Sequence, residues 1–252
     1  MTLVLATVES GEPGAEDLAQ PEIFASVQGE GASAGRACTF VRLSRCNLAC
    51  EWCDTAYTWR FEGDNRPHRD GVDFARAANQ VTLDEADVAA RIAAFGRRRL
   101  VVTGGEPLLQ APALARLLAL LPGLHVEVET NGTVVPPNAL DNLVHQWNVS
   151  PKLAHSGNPR DLALRPEALR AFAADPRATF KFVIASEDDL SEVTSLMAEY
   201  GLPGSRVWLM PEGRDSATIR ERSLWLAEYC SKHELNFSDR LHIHLFGDTR
   251  GT

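Results

Sequence analysis

The run Cys46-Asn47-Leu48-Ala49-Cys50-Glu51-Trp52-Cys53 places three cysteines at C-x3-C-x2-C spacing. Three thiolates cannot complete the four-thiolate set of an ordinary iron–sulfur cluster, so the fourth iron of a cubane would stay open to a small molecule. The alternative is a structural zinc site, which usually needs four ligands. No Cys or His pair at zinc spacing lies near the run in the sequence, and the fold would have to bring in His68 or His125. The spacing therefore favours an open iron–sulfur site.

The sequence around this run alternates strand-like and helical segments. Strand-length apolar runs lie at residues 37–43, 100–102, 125–129, 147–149, 180–184, 206–210 and 241–245. Helical patterns lie between them at residues 85–95 (after the capping box Thr82-Leu83-Asp84-Glu85), 113–121, 166–173, 187–200 (capped by Ser186, ended by Gly201) and 217–233. This alternation predicts an α/β fold with a parallel sheet and helical crossovers. About six units are too few for a closed eight-unit barrel, so we expect an open or partial barrel.

Length and composition indicate one ordinary globular domain. The chain has 252 residues, 44% hydrophobic and 23% charged, with a formal net charge of −9. That charge disfavours a nucleic-acid surface, which needs a basic face. The longest apolar stretch, residues 108–124, is interrupted by Arg116 and two prolines and is too short to span a membrane. We expect a single domain over residues 21–252, a mobile leader over residues 1–20 and a polar insertion around residues 60–80.

The cysteine usage and the first residues indicate a reducing compartment. The amino-terminal residues lack the basic region of a signal peptide. Five cysteines, three of them clustered, do not form a disulfide framework. We therefore expect a cytoplasmic protein in which Cys38 and Cys230 are core thiols.

A second motif, Thr103-Gly104-Gly105-Glu106-Pro107, directly follows the candidate strand at residues 100–102. Two glycines at a strand end let a ligand approach the backbone closely, and Glu106 adds a carboxylate that can hold an ammonium group. An isolated Gly-Gly pair is more often a tight strand-to-helix turn. Functional loops of such sheets lie at the carboxyl ends of the strands, where this turn and the cysteine run both fall.

Together the two motifs resemble those of the radical S-adenosylmethionine (SAM) superfamily. The resemblance implies a partial (β/α)6-type barrel with a curved parallel sheet. It implies a 4Fe–4S cluster on the three cysteines, with SAM on the open iron and its amino group against Gly-Gly-Glu-Pro. One electron from the cluster then cleaves SAM to a 5′-deoxyadenosyl radical. Soft thiolates suit such a cluster.

Further motifs resemble one family within that superfamily, the 7-carboxy-7-deazaguanine synthases. They are residues 22–31, Arg42, Cys53-Asp54-Thr55, residues 129–133, Ser150-Pro151-Lys152 and residues 241–251. The resemblance implies a radical ring contraction of 6-carboxy-5,6,7,8-tetrahydropterin to 7-carboxy-7-deazaguanine, with loss of ammonia, on the way to queuosine. Hydrogen leaves C6 and later returns from 5′-deoxyadenosine, and Mg2+ assists. It also implies a homodimer and a flavodoxin or ferredoxin as electron donor.

The same resemblance implies roles for individual residues. Cys46, Cys50 and Cys53 hold the cluster, and the Thr55 hydroxyl ligates Mg2+, a hard cation that takes oxygen ligands. The residues implied to contact SAM are Trp52, Asp54, Gly104, Gly105, Glu106, Ser150, Pro151, Lys152, Met210 and Pro211. Those implied to contact substrate are Val27, Gln28, Gly29, Arg42, Thr103, His242 and the Thr252 carboxylate. Among the latter, catalysis is assigned to Gln28, Arg42, Thr103 and His242.

Plainer interpretations stand beside these roles. Arg42 at a strand end is otherwise a surface arginine, Thr55 a turn hydroxyl, and His242 a packed strand histidine beside His244. For the whole chain, a glycyl-radical-enzyme activase shares the cluster motif, a zinc-binding interaction protein shares the cysteines, and a third alternative is an enzyme acting directly on tRNA. Extra cysteine clusters would favour the activase. A purified protein that is colourless and contains zinc would favour the zinc-binding interaction protein.

Overall fold

The computed structural model describes residues 2–8 and 19–252. Its strands are β1 (Thr2–Val8), β2 (Gln20–Pro21), β3 (Ile23–Val27), β4 (Ala37–Leu43), β5 (Gln80–Asp84), β6 (Arg99–Gly104), β7 (His125–Thr130), β8 (Gln146–Val149), β9 (Ala178–Ile184), β10 (Val207–Pro211) and β11 (Asn236–Phe237). Its helices are α1 (Arg76–Asn79), α2 (Glu85–Ala94), α3 (Ala111–Ala119), α4 (Arg160–Ala163), α5 (Pro166–Ala174), α6 (Asp189–Tyr200), α7 (Ser216–Lys232) and α8 (Leu241–Phe246). Among these described helices, none combines the length and apolar character needed to cross a membrane.

One mostly parallel sheet forms the centre of the molecule. Its strands run in the order β11-β10-β9-β8-β7-β6-β4, each parallel to the next, and β1, β2, β3 and β5 extend it with antiparallel pairs. Among the strands of residues 2–8 and 19–252, the two ends of the sheet do not pair with each other, so the barrel is open. The predicted α/β fold with a partial barrel is therefore confirmed. The carboxyl ends of the parallel strands meet at one edge, where functional loops are expected.

Strand alternation separates an apolar face from a polar one. In β7, Val126 and Val128 belong to the main hydrophobic core, which also contains Trp147 and Phe172. Successive side chains of a strand point to opposite faces, so Glu127 and Glu129 point away from that core. Glu127 is fully buried and is paired there with Arg99. A buried carboxylate needs such a partner, so the inner face of the sheet is lined by paired polar groups.

The predicted mobile leader is wrong for Thr2–Val8. These residues form β1, which pairs with β5 in the register Leu3↔Leu83 and Leu5↔Val81. Leu3 and Leu5 are fully buried, so a strand-length apolar run at the start of the chain completes the core. Gln20, the last residue of the predicted leader, begins β2, whereas residues 1 and 9–18 lie outside the described residues.

The predicted strand at residues 241–245 is also wrong, because this segment forms the short helix α8. Only Ile243 of this helix is buried, and the N–H of Gly247 ends it by donating to the Ile243 carbonyl at 3.0 Å. A short apolar–polar alternation fits a strand or one helical turn, so the pattern did not decide. As a result His242 and His244 do not share a strand face.

The amino-terminal capping of two helices differs from the predicted capping. Asp84, and not Thr82, caps α2 by accepting from the Asp87 N–H at 2.9 Å, because β5 extends through Asp84. Helix α6 begins at Asp189, and no side chain caps its first residue; Asp189 itself accepts from the N–H groups of Ala185 and Ser186. Its predicted end at Gly201, in the left-handed conformation with φ +65°, is confirmed.

Candidate active site

The cysteine loop follows β4 and rests on the turn that ends β6. Gly105 donates to the Leu43 carbonyl at 3.0 Å, and Glu106 donates to the Arg45 carbonyl at 2.9 Å. A Cβ at Gly105 would lie 2.2 Å from the Arg45 oxygen and 2.8 Å from the Cys46 Cβ. Only glycine therefore allows this approach. Arg45, directly before the first cysteine, has a positive φ of 78°, a conformation that non-glycine residues rarely adopt and that clusters at functional sites.

The three cysteines of the loop line one cavity, and each sulfur has a polar neighbour. Asn158 Nδ2 donates to Cys50 Sγ at 3.3 Å, Asn131 Nδ2 lies 3.9 Å from Cys46 Sγ, and the Thr55 hydroxyl lies 3.6 Å from Cys53 Sγ. Burial raises the pKa of the Cys46 thiol to about 12 and that of Cys50 to about 11.

Such thiols ionise readily only when a metal binds them. Three soft sulfur donors on one loop, facing a common cavity with hydrogen-bond donors around them, fit an iron–sulfur cluster. The histidines considered for zinc do not line the cavity that the three sulfurs face. His68 Nε2 contacts the Cys53 carbonyl oxygen at 2.8 Å, and His125 begins β7 at the opposite end of the sheet.

Glu106 differs from its expected role. Its carboxylate is fully buried and does not line the cavity. It accepts from Leu108 N at 2.9 Å, Asn131 N at 2.7 Å and the Thr130 hydroxyl at 2.9 Å. Burial raises its pKa despite these donors. Glu106 therefore caps the short 3-10 turn Pro107–Gln110 and holds the loop after β7 through Thr130 and Asn131. Gly104 and Gly105 line the cavity, whereas Glu106 does not.

A second wall of the cavity is built from Gln28, directly after β3, and from Thr103 of β6 and Glu129 of β7. Gln28 Nε2 donates to Glu129 Oε1 at 3.1 Å, and the Thr103 hydroxyl donates to Glu129 Oε2 at 2.8 Å. All three side chains line the cavity. Gln28 and Thr103 were predicted on the resemblance, whereas no role was assigned to Glu129. Its alternation with buried Val128 in β7 is the signal that could have found it.

Arg42 lines both this cavity and a second cavity beside it. Its Nε donates to Glu22 Oε1 at 2.8 Å, and the second oxygen of Glu22 accepts from the Tyr57 hydroxyl at 2.9 Å. Burial would lower the pKa of Arg42, but Glu22 raises it, so the guanidinium stays charged. The second cavity is also lined by Thr55, His68, Arg250 and Thr252.

A cluster of opposite charges forms the far wall. Glu30 binds Lys181 and Arg240, and Arg240 also binds Asp54. Burial alone would raise the pKa of Glu30, but Lys181, Arg240 and His242 together hold it well below its usual value. Burial lowers the pKa of His242, which is therefore neutral at pH 7. Sequence reasoning missed Glu30, Lys181 and Arg240, because buried charges are rare and their partners are distant in the chain.

The structure gathers most of the predicted site residues around the main cavity. Those that line it are Val27, Gln28, Gly29, Arg42, Cys46, Cys50, Trp52, Cys53, Asp54, Thr55, Thr103, Gly104, Gly105, Ser150, Lys152, Met210, His242 and Thr252. Pro151 and Pro211, like Glu106, are not among the lining residues. Trp52 stacks on His155 with ring centroids 5.5 Å apart, and Lys152 Nζ lies 2.8 Å from Ser150 Oγ.

Comparison with known proteins identifies the chain. The profile of the radical SAM superfamily matches residues 41–212. The 7-carboxy-7-deazaguanine synthase of Pyrobaculum aerophilum is 38% identical over 91% of this chain and 95% of its own length. The enzyme of the same name from Hyperthermus butylicus is 37% identical over 88% of this chain and 90% of its own. The chain belongs to the 7-carboxy-7-deazaguanine synthase family.

As a radical SAM enzyme of this family, the chain uses a 4Fe–4S cluster and SAM, which agrees with the three sulfurs that line the cavity. Among solved structures, QueE from Escherichia coli superposes with a TM-score of 0.64 at 24% identity, covering 95% of each chain. That likeness shows that the two chains share a fold.

Proposed function

We propose that the chain converts 6-carboxy-5,6,7,8-tetrahydropterin to 7-carboxy-7-deazaguanine with loss of ammonia. One observation carries the proposal: the cavity that holds the three cysteines also has a cationic receptor, Arg42, and a carboxylate, Glu129. The substrate has the complementary groups, a carboxylate at C6 and N–H donors on its pyrimidine ring. Family membership supports the same reaction.

The pyrimidine edge of the pterin is assigned to the wall formed by Gln28, Thr103 and Glu129. Glu129 accepts charge-assisted hydrogen bonds from ring N–H groups, and Gln28 offers both a donor and an acceptor. Its Nε2 and the Thr103 hydroxyl already hold the Glu129 carboxylate. Val27 and Gly29 flank Gln28 along the same edge. This wall would therefore orient the pterin plane within the cavity.

The C6 carboxylate is assigned to Arg42 and to a Mg2+ ion on the Thr55 hydroxyl. A planar guanidinium matches a carboxylate through two parallel hydrogen bonds, and Mg2+ prefers hydroxyl and carboxylate oxygens. Arg42 and Thr55 line both cavities together, so one carboxylate can reach both. Holding that carboxylate fixes C6, the carbon that loses hydrogen, toward the cysteine loop.

When bound, the cluster and SAM supply the electron and the 5′-deoxyadenosyl radical that removes and returns the substrate hydrogen. Gly104 and Gly105 would offer backbone groups to the SAM amino group, Ser150 and Lys152 would bind its carboxylate or ribose, and Met210 would contact its adenine. Neutral His242 can accept a hydrogen bond or a proton from the substrate. Gly29 lets this ring approach, because a Cβ there would lie 2.2 Å from His242 Nδ1.

The remaining parts of the proposal concern the setting of the reaction. The tail residue Thr252 lines both cavities, which supports closure of the tail over bound substrate. A flavodoxin- or ferredoxin-type protein is proposed as the electron donor, with a homodimer as the assembly and the cytoplasm as the compartment. The proposed partners include no nucleic acid and no membrane.

The test is an anaerobic assay of the reconstituted full-length chain with SAM, a reductant, Mg2+ and 6-carboxy-5,6,7,8-tetrahydropterin. We expect 7-carboxy-7-deazaguanine and ammonia in equal amounts, measured by mass spectrometry and an ammonia assay. Arg42→Met should keep the cluster absorbance and lower kcat/KM about 100-fold, since a charged contact to the substrate is lost. A wild-type protein that binds SAM and forms no deazaguanine would show that the substrate is a different one.

A further inference from the structure

Glu22 is a fully buried carboxylate with no role in the proposed chemistry. It precedes β3, and its residue is 0% exposed. A buried carboxylate is retained only where hydrogen bonds and charge compensate for the lost hydration. Here Glu22 accepts from Arg42 Nε at 2.8 Å and from the Tyr57 hydroxyl at 2.9 Å. Both of its oxygens are therefore committed, and the carboxylate has one fixed orientation.

The contact with Glu22 determines how Arg42 faces the cavity. Glu22 engages Nε, and the main chains of the two residues are joined as well, since Arg42 N donates to the Glu22 carbonyl at 3.0 Å. Within residues 2–8 and 19–252, neither Nη nitrogen of Arg42 has a protein acceptor. The pair of contacts therefore leaves the outer edge of the guanidinium for a ligand. A two-pronged contact with a carboxylate needs this kind of orientation.

Tyr57 extends the arrangement to the carboxyl-terminal tail. The Arg250 guanidinium lies over the Tyr57 ring, 3.6 Å from its centroid, and 5.4 Å from the Phe74 centroid. Arg250 Nη1 also donates to Asn79 Oδ1 at 2.9 Å. Phe74 and Asn79 belong to the polar segment at residues 60–80, to which the sequence assigned no role. Residues of that segment therefore contact Arg250 of the carboxyl-terminal tail, and Tyr57 packs against the same guanidinium.

We infer that Glu22 is a positioning residue, which orients Arg42 so that the site selects pterins carrying a C6 carboxylate, and that Tyr57 holds Glu22 in place. The inference rests on the proposed function, because Arg42 must bind the substrate carboxylate. Glu22 does not touch substrate. Its effect is to keep Arg42 from rotating, so the entropy of ordering the guanidinium is lost on folding and not on binding.

The test compares Glu22→Gln with Glu127→Gln in the reconstituted full-length enzyme. Both carboxylates are fully buried and both pair with an arginine, but the Glu127–Arg99 pair does not line the cavity. In Glu22→Gln we expect KM for the carboxylated substrate to rise about tenfold, which corresponds to about 1.4 kcal/mol, with a smaller change in kcat. Glu127→Gln should lower thermal stability similarly and leave KM near the wild-type value.

A second measurement separates positioning from general damage. Tetrahydropterin without the carboxylate is used as a competitive inhibitor, and its inhibition constant should be the same in wild type and Glu22→Gln. Tyr57→Phe should shift KM in the same direction by a smaller factor. An unchanged KM in Glu22→Gln, or an equal loss of affinity for both pterins, would overturn the inference. If the wild type itself makes no deazaguanine, the proposed function fails instead, and the two failures are distinguishable.

Discussion

Arg240 donates a hydrogen bond to the carboxylate of Asp54, a residue 186 positions earlier in the chain. Asp54 directly follows the last cysteine of the loop, so this contact ties the cysteine loop to the segment before α8. Arg240 is nearly buried, and it also binds Glu30 and the Gly213 carbonyl. It is therefore the counter-charge that two carboxylates at the far wall of the cavity share, with Lys181 as the second cation beside Glu30.

Replacing Arg240 with Met should weaken SAM binding and stability together. The change leaves Asp54 and Glu30 without their shared cation, and removing one partner of a buried pair costs about 3–5 kcal/mol. We expect a dissociation constant for SAM at least about tenfold higher, measured by equilibrium binding to the reconstituted protein. Arg206→Met is the control, since Arg206 donates to backbone carbonyls of Ala173 and Asp175 far from the loop. Equal SAM affinity in both variants would contradict this prediction.

Substitution of single cysteines should show that the cysteines of the loop bind iron and that the other cysteines do not. Cys50→Ala removes one of the three ligands, and we expect the reconstituted protein to lose most of its iron, because two thiolates cannot hold the cubane. Cys230→Ser is the matched control. Cys230 is also buried, and its sulfur donates only to the Asn236 carbonyl at 3.6 Å. Iron and sulfide analysis with the visible absorption spectrum provides the measurement, and full iron content in Cys50→Ala would refute the ligand assignment.

Gly105→Ala should displace the cysteine loop without altering its ligands. The added Cβ would meet the Arg45 carbonyl and the Cys46 side chain, both held by the main chain. We expect a large drop in cluster incorporation and no measurable SAM binding. In Gly123→Ala the new Cβ meets nothing within 4 Å, and only the positive φ of 82° is strained, at a cost of about 1 kcal/mol. That control should keep its cluster, so wild-type iron content in both variants would contradict the packing argument.

The sequence predicted those parts of the fold that depend on local pattern. Strand β4 was predicted over residues 37–43, as found, because a mostly apolar run there, which includes Thr39 and Arg42, leads into a loop with a strong motif. The segment 241–245 was misjudged because five residues of alternating pattern fit two conformations. The physical reason is that a strand forms only where neighbouring strands pair with it, and a short local pattern does not show which segments will be its neighbours.

The site was predictable where residue type alone carries the chemistry. Three cysteines at such spacing have few other uses, and the Gly-Gly turn became informative only together with them, so the place of both in the cavity followed from the two motifs. The charged wall was not predictable, since Glu30 and Arg240 are 210 residues apart and nothing in either segment shows the other. Glu106 illustrates the reverse case. Its carboxylate was expected to bind a ligand, but it accepts hydrogen bonds from the N–H groups of Leu108 and Asn131 inside the protein.

Glu30 should make the stability of the protein depend on pH. Lys181, Arg240 and His242 lower its folded-state pKa despite burial, so its contribution is fully present above the unfolded pKa of about 4.3 and is lost as pH falls through the folded value. Glu30→Gln should therefore lower the free energy of unfolding by about 3 kcal/mol at pH 7. Guanidinium titrations at pH 7 and pH 3 should show that the difference in free energy of unfolding between wild type and Glu30→Gln is smaller at pH 3. Asp215, an exposed cap of α7, provides the control, and Asp215→Asn should lower the free energy of unfolding by much less. If the loss in Glu30→Gln is equally small, or is larger at pH 3 than at pH 7, the proposed role of the Glu30 carboxylate is wrong.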